Sequence, residues 1–92
     1  MVVDISGLDK AEILAALYNQ SKPAGFGVIG DMDLAEAEAI LNESSSGYFD
    51  YVFGRPLKVD LSGEVLDTSS YNRDHGECAA EDILAGLKRA AE

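Results

Sequence analysis

The sequence predicts an α+β domain, about three helices packed on a small, mainly antiparallel sheet of two to four strands. Three observations carry that expectation. Two segments open on an Asp followed three residues later by Glu and continue with apolar residues at helical spacing. An aromatic-rich segment leads across a turn into strict alternation of apolar and charged residues, and the chain closes on a further helical stripe. With 92 residues, 47% hydrophobic and 26% charged, the chain reads as one acidic domain over 1–92 that folds without help. No repeat, low-complexity block or interdomain linker interrupts it.

Asp9-Lys10-Ala11-Glu12 is the first capping arrangement, with Leu8 placed to staple onto Ile13, so a helix begins near Lys10. Ile13, Leu14, Leu17 and Tyr18 form its inward stripe, and Pro23 ends the run because proline cannot continue a helix. In 24–30, Phe26, Val28 and Ile29 stand among three glycines, which suits a short strand or an extended loop better than a helix. Asp33-Leu34-Ala35-Glu36 repeats the cap and opens a second helix to about Asn42, with Leu34, Ala37, Ile40 and Leu41 inward.

Tyr48-Phe49-Asp50-Tyr51-Val52-Phe53, the turn signal Gly54-Arg55-Pro56, and Leu57, Val59 and Leu61 alternating with Lys58 and Asp60 predict a hairpin with one buried face. Alternation offers the core either positions 48, 50 and 52 or positions 49, 51 and 53. The second set is preferred, because it buries Phe49, Tyr51 and Phe53 and leaves Asp50 in water. Ser62-Gly63 is another turn, residues 64–66 suit a short third strand, and 67–76 is polar. The last helix runs from about Glu77, with Ala80, Ile83, Leu84 and Leu87 inward.

Charge is the unusual feature: 17 acidic against 7 basic side chains give a formal net charge of -10. Its distribution is uneven. No basic residue lies between Lys22 and Arg55, whereas Asp31, Asp33, Glu36, Glu38, Glu43 and Asp50 all fall there. A second run, Asp60, Glu64, Asp67, Asp74, Glu77, Glu81 and Asp82, has only Arg73 as counter-charge. Direct binding to nucleic acid needs clustered Lys and Arg and is therefore not expected; a basic partner is. The N-terminus lacks a basic flank with an apolar run and no stretch approaches the length of a membrane span, so neither export nor a membrane partner is expected. Cys78 is the single cysteine, which excludes an intramolecular disulfide framework and suits a reducing cytoplasm.

Chemistry-bearing residues are few. Asp74-His75-Gly76-Glu77-Cys78 gathers four ligand types, but zinc sites pair several Cys or His residues from two elements, and this chain has one of each. His75 with Cys78 lacks any signature of oxyanion donors or an orienting group. Gly25-Phe26-Gly27-Val28-Ile29-Gly30 has neither dinucleotide spacing nor a P-loop Lys. The expectation is a binding protein, not an enzyme, with no cofactor and no metal. Part of the acidity serves helix dipoles and solubility. Glu36 and Glu43, by contrast, lie on nearly one stripe, about 10 Å apart along the helix axis. Such carboxylates on a rigid surface can take phosphate positions in a groove made for nucleic acid. The candidate partner-binding residues are Asp31, Asp33, Glu36, Glu38, Glu43, Asp50, Asp60, Glu64 and Asp67.

Tyr48-Phe49-Asp50-Tyr51, Gly54-Arg55, Lys58-Val59-Asp60-Leu61-Ser62 and Tyr71 with Arg73-Asp74 and Gly76 resemble a family of small phage and prophage proteins. Ala15-Ala16-Leu17-Tyr18-Asn19 and Lys22-Pro23 extend the resemblance over most of the chain. With its small size and acidity, the chain also resembles DNA-mimicking anti-CRISPR proteins acting on type I complexes. That resemblance implies a phage-encoded inhibitor in the bacterial host cytoplasm, binding the basic DNA-binding surface of a CRISPR-Cas surveillance complex and blocking target DNA or PAM binding. The alternative is a small phage accessory protein that binds another host protein, its acidity serving solubility.

Overall fold

The computed structural model describes residues 2–21, 31–76 and 79–91. Among them the chain forms β1 (Val2–Asp4), α1 (Lys10–Gln20), α2 (Leu34–Glu43), β2 (Tyr48–Val52), β3 (Arg55–Asp60), β4 (Val65–Asp67), α3 (Ser69–His75) and α4 (Ala79–Ala91). The fold is α+β, with two antiparallel two-stranded sheets, β1 with β4 and β2 with β3. The segment 24–30, for which the sequence suggests a strand or a loop, lies outside the described residues, as do Glu77 and Cys78.

α1 is the hub. Its cap forms as expected, the Asp9 carboxylate accepting from Ala11 N at 2.9 Å. Burial extends beyond the expected stripe to Ala11 and Ala15, because α2, α4 and β3 all pack against this helix. Ile13, Leu14 and Leu17 meet Leu57, Val59, Leu61, Leu66 and Leu84 in one apolar cluster. Tyr71, wholly buried, sends its hydroxyl to the Leu17 carbonyl at 3.0 Å, and burial pushes its phenol up to about 12.

The polar stretch 67–76 contains α3, which the sequence hides because Tyr71 is its one buried residue and gives no periodicity. The chain enters it through Asp67, whose carboxylate accepts from Ser69 N at 3.0 Å. The helix ends at Gly76, and Asn72 carries the chain on: its Oδ1 accepts from Ala80 N at 3.1 Å, in the first turn of α4. Asp74 and His75 therefore lie in the last turn of α3.

The third strand, β4, does not extend the hairpin. Its Leu66 pairs with Val3 of β1, and Ile5 N prolongs the ladder to Glu64 O at 2.9 Å. β1 is too short to show a period, which is why the sequence does not announce it. In the hairpin, the expected Gly54-Arg55-Pro56 turn is instead Phe53-Gly54, with Val52 and Arg55 paired across it and φ of 49° and 80°. Two positive φ values in a two-residue loop give the I′ geometry that matches strand twist. At the other end Leu61 N donates to Gly47 O at 2.8 Å. Gly47, at φ +71°, passes so close to Ser62 that a Cβ would lie 2.7 Å from its backbone N.

A register shift between Phe49 and Tyr51 corrects the expected core set. Phe49 faces Val59, but Tyr51 faces Pro56, so β3 holds one residue more than β2 between these pairs. An irregularity of this kind reverses which side the later residues take. Phe49 and Val52 are buried, while Tyr51 and Phe53 are 67% and 57% exposed. On α2 the expected inward set is corrected as well: Ala37 is buried, Ile40 and Leu41 are half-buried, and Leu34 is exposed.

Candidate partner-binding surface

All nine acidic residues singled out from the sequence are solvent-exposed. Asp31 apart, they divide by local duty. Asp33 caps α2, accepting from Glu36 N at 2.8 Å, and Asp60 and Asp67 fix turns, accepting from Ser62 N at 2.9 Å and from Ser69 N at 3.0 Å. Hydrogen bonds from Ser62 hold the Asp60 carboxyl below the usual Asp range, and bonds from Ser69 do the same for Asp67. Asp4, which the sequence reading passed over, is lowered in the same way by the Ser6 hydroxyl and backbone N–H. These charges are anchored by the turns they build. The side chains of Glu36, Glu38, Glu43, Asp50 and Glu64 have no such duty among the described residues and extend into water.

The position of α2 is fixed at its entry by a two-point clamp from α1. Asn19 Nδ2 donates to Met32 O at 3.2 Å while Met32 N donates to Asn19 Oδ1 at 2.7 Å. Met32 is buried, so Met32 and the Asp33 cap that follows it cannot leave α1 without breaking both bonds and exposing that side chain. At 100° per residue, Glu36 and Glu43 fall within about 20° of each other on the flank of α2 that also carries Ile40. Glu38 falls on the other side. The structure therefore sets Glu36 and Glu43 on one flank and Glu38 off it; Asp67 ends β4, and Glu64 immediately precedes that strand.

The Glu36–Glu43 flank borders an open groove of about 290 Å³ between the end of α2 and the hairpin. Ile40, Phe49 and Val52 supply its apolar lining, Tyr51 and Phe53 add aromatic walls, and Glu43 and Ser44 stand at the helix end. The residue pattern did contain a signal for this groove. Phe53 stands before Gly54 where an I′ turn calls for Asn, Asp or Gly, so a bulky side chain occupies a left-handed backbone position. That conformation costs roughly 1–2 kcal/mol for a residue with a Cβ. The Phe53 ring meets Tyr18 edge to face, with centroids 6.2 Å apart and an interplanar angle of 88°, which fixes the ring while leaving more than half of it in water. A strained backbone position thus holds an aromatic ring at the surface beside the groove.

The His75 environment is different in character. Its ring lies 4.5 Å from that of Tyr71, and its buried Nε2 has no hydrogen-bond partner among the described residues. Among those residues no three His, Cys, Asp or Glu side chains gather as a metal site. No helix among them is long and apolar enough to cross a membrane. Compared with protein-family models, curated proteins and solved structures, the chain finds no match in any of the three.

Proposed function

We propose that this chain is a phage-encoded inhibitor of bacterial defence that acts by stoichiometric binding, its acidic flank taking the place of duplex DNA on a basic surface of a type I CRISPR-Cas surveillance complex. One observation carries the mimicry: Glu36 and Glu43 project from one flank of a clamped helix, within a stretch, 31–54, that holds six carboxylates and no Lys, Arg or His. A basic channel attracts such a surface over the range of a Debye length and loses it as salt rises. The choice of a CRISPR-Cas target rests on the sequence resemblance.

The test is competition. A reconstituted type I complex is equilibrated with labelled PAM-containing duplex and increasing amounts of the protein. Displacement that saturates at a fixed molar ratio and weakens with added salt supports the reading. Undisturbed DNA binding at low salt, with a large excess of protein, sinks it for that complex. The second reading, an accessory protein that binds another host protein through apolar contact, is favoured by the exposed rings of Tyr48, Tyr51 and Phe53. In that case binding to the partner is indifferent to salt.

A further inference from the structure

We propose that the groove between the C-terminal end of α2 and the Phe53-Gly54 turn receives an arginine side chain of the partner protein, and this rests on the reading that the partner is basic. The shape and chemistry of the groove select that occupant. Its apolar lining, Ile40, Phe49 and Val52, matches an aliphatic stem, and the exposed aromatic side chains of Tyr51 and Phe53, which also line it, suit a planar cation. Glu43 at the rim supplies the counter-charge, and no Lys or Arg is among the described residues that line the groove. Guanidinium fits better than ammonium here, because it is planar, stacks on rings, is less strongly hydrated and pairs with a carboxylate through two parallel bonds. The acidic flank thus attracts a basic surface at long range, and the groove reads one residue of it at contact.

The probe is a short synthetic peptide alternating leucine and arginine, with one twin carrying lysine for arginine and another carrying citrulline, which keeps the shape and removes the charge. Each is titrated into the isotope-labelled full chain and followed by amide chemical shifts. The arginine peptide is expected to move the amides of Glu43, Tyr51, Val52 and Phe53 most, the lysine twin to bind several-fold more weakly, and the citrulline twin about tenfold more weakly or worse. Glu43→Gln and Tyr51→Ser should each weaken the arginine peptide about fivefold, whereas Glu64→Gln, in the turn before β4, should not. Both groove variants alter exposed side chains, and unchanged melting confirms that each stays folded. Equal binding of the arginine and lysine peptides, with shifts spread over every exposed carboxylate, overturns the groove while leaving the acidic-mimic reading in place. A citrulline twin that binds as tightly as the arginine peptide overturns both, and so does silence from all three peptides.

Discussion

The Arg55 guanidinium lies 4.3 Å from the centroid of the Tyr18 ring, and its Nη1 donates to the Tyr18 carbonyl at 3.4 Å. A buried cation at the first residue of β3 is thereby joined to the last turn of α1, so the hairpin is held to the hub helix by stacking and a hydrogen bond together. Arg55→Lys keeps the charge and loses the planar stack. We expect it to cost about 1–3 kcal/mol, read as a lower denaturant midpoint with an unchanged slope. An unchanged midpoint shows that the contact does not anchor the hairpin.

Phe53→Asn separates display from stability. Asn tolerates the left-handed backbone, relieving roughly 1 kcal/mol of strain, while the lost edge-to-face contact with Tyr18 costs about 0.5–1.5 kcal/mol. The two nearly cancel, so melting should move by only a few degrees. Partner binding should weaken, because the groove loses a wall. A variant that binds as well as the parent removes Phe53 from the contact surface.

Val59→Ala and Tyr51→Ala test the register shift. Val59 is buried against Phe49, and truncating it should cost about 1–3 kcal/mol. Tyr51 faces water, and its truncation should stay near 0.5 kcal/mol. Equal losses in thermal melts imply the regular alternation in which Tyr51 is core.

The acidic flank is tested by charge reversal. Glu36→Lys with Glu43→Lys should leave the fold intact and lower the association rate with the partner by an order of magnitude or so at low salt, the difference narrowing as salt rises. Two controls define the face. Glu38→Lys sits on the other side of α2, and Lys88→Glu with Arg89→Glu lies in the last turn of α4; both should associate at close to the parent's rate. A double reversal at 36 and 43 that associates as fast as the parent shows that this flank does not face the partner.

Acid should expose the joint between α3 and α4. The side-chain amide of Asn72 donates to Glu81 Oε2 at 2.7 Å and holds that carboxyl below its ordinary 4.5, with the Thr68 hydroxyl donating to Oε1 at 2.9 Å. A lowered folded-state pKa means stability that is complete above pH 4.5 and lost as pH falls through the folded value. The melting temperature of Glu81→Gln should therefore lie below the parent's at neutral pH, and the two should converge in acid below that point. A gap that persists undiminished at pH 2–3, roughly, shows that ionisation of Glu81 contributes nothing to the joint.

The helices were legible wherever a cap and a stripe coincided. Asp9 and Asp33 both accept the bonds their positions imply, and α1 and α2 begin where the pattern puts them. α3 and β1 were not legible, because one buried tyrosine and three residues of strand leave no period to read. The hairpin was found, but not which rings it buries: a one-residue shift depends on pairing between strands, and neither strand encodes it alone. The same shift explains why alternation alone misassigns Tyr51 and Val52, whereas Phe53 before Gly54 was the one local signal that a ring is displayed there.

The pairing of Val3 with Leu66 also dictates the order in which the chain can complete itself. The hairpin closes locally, as does α1, but β1 has no partner until β4 has been synthesised, and the Ile5 N–H has no Glu64 carbonyl to donate to until then. Contacts between such distant parts of a chain are slow to form, because loop-closure entropy is lost before they contribute. During synthesis, the N-terminal strand is thus an open edge beside a partly formed core, and the last third of the protein is what seals it.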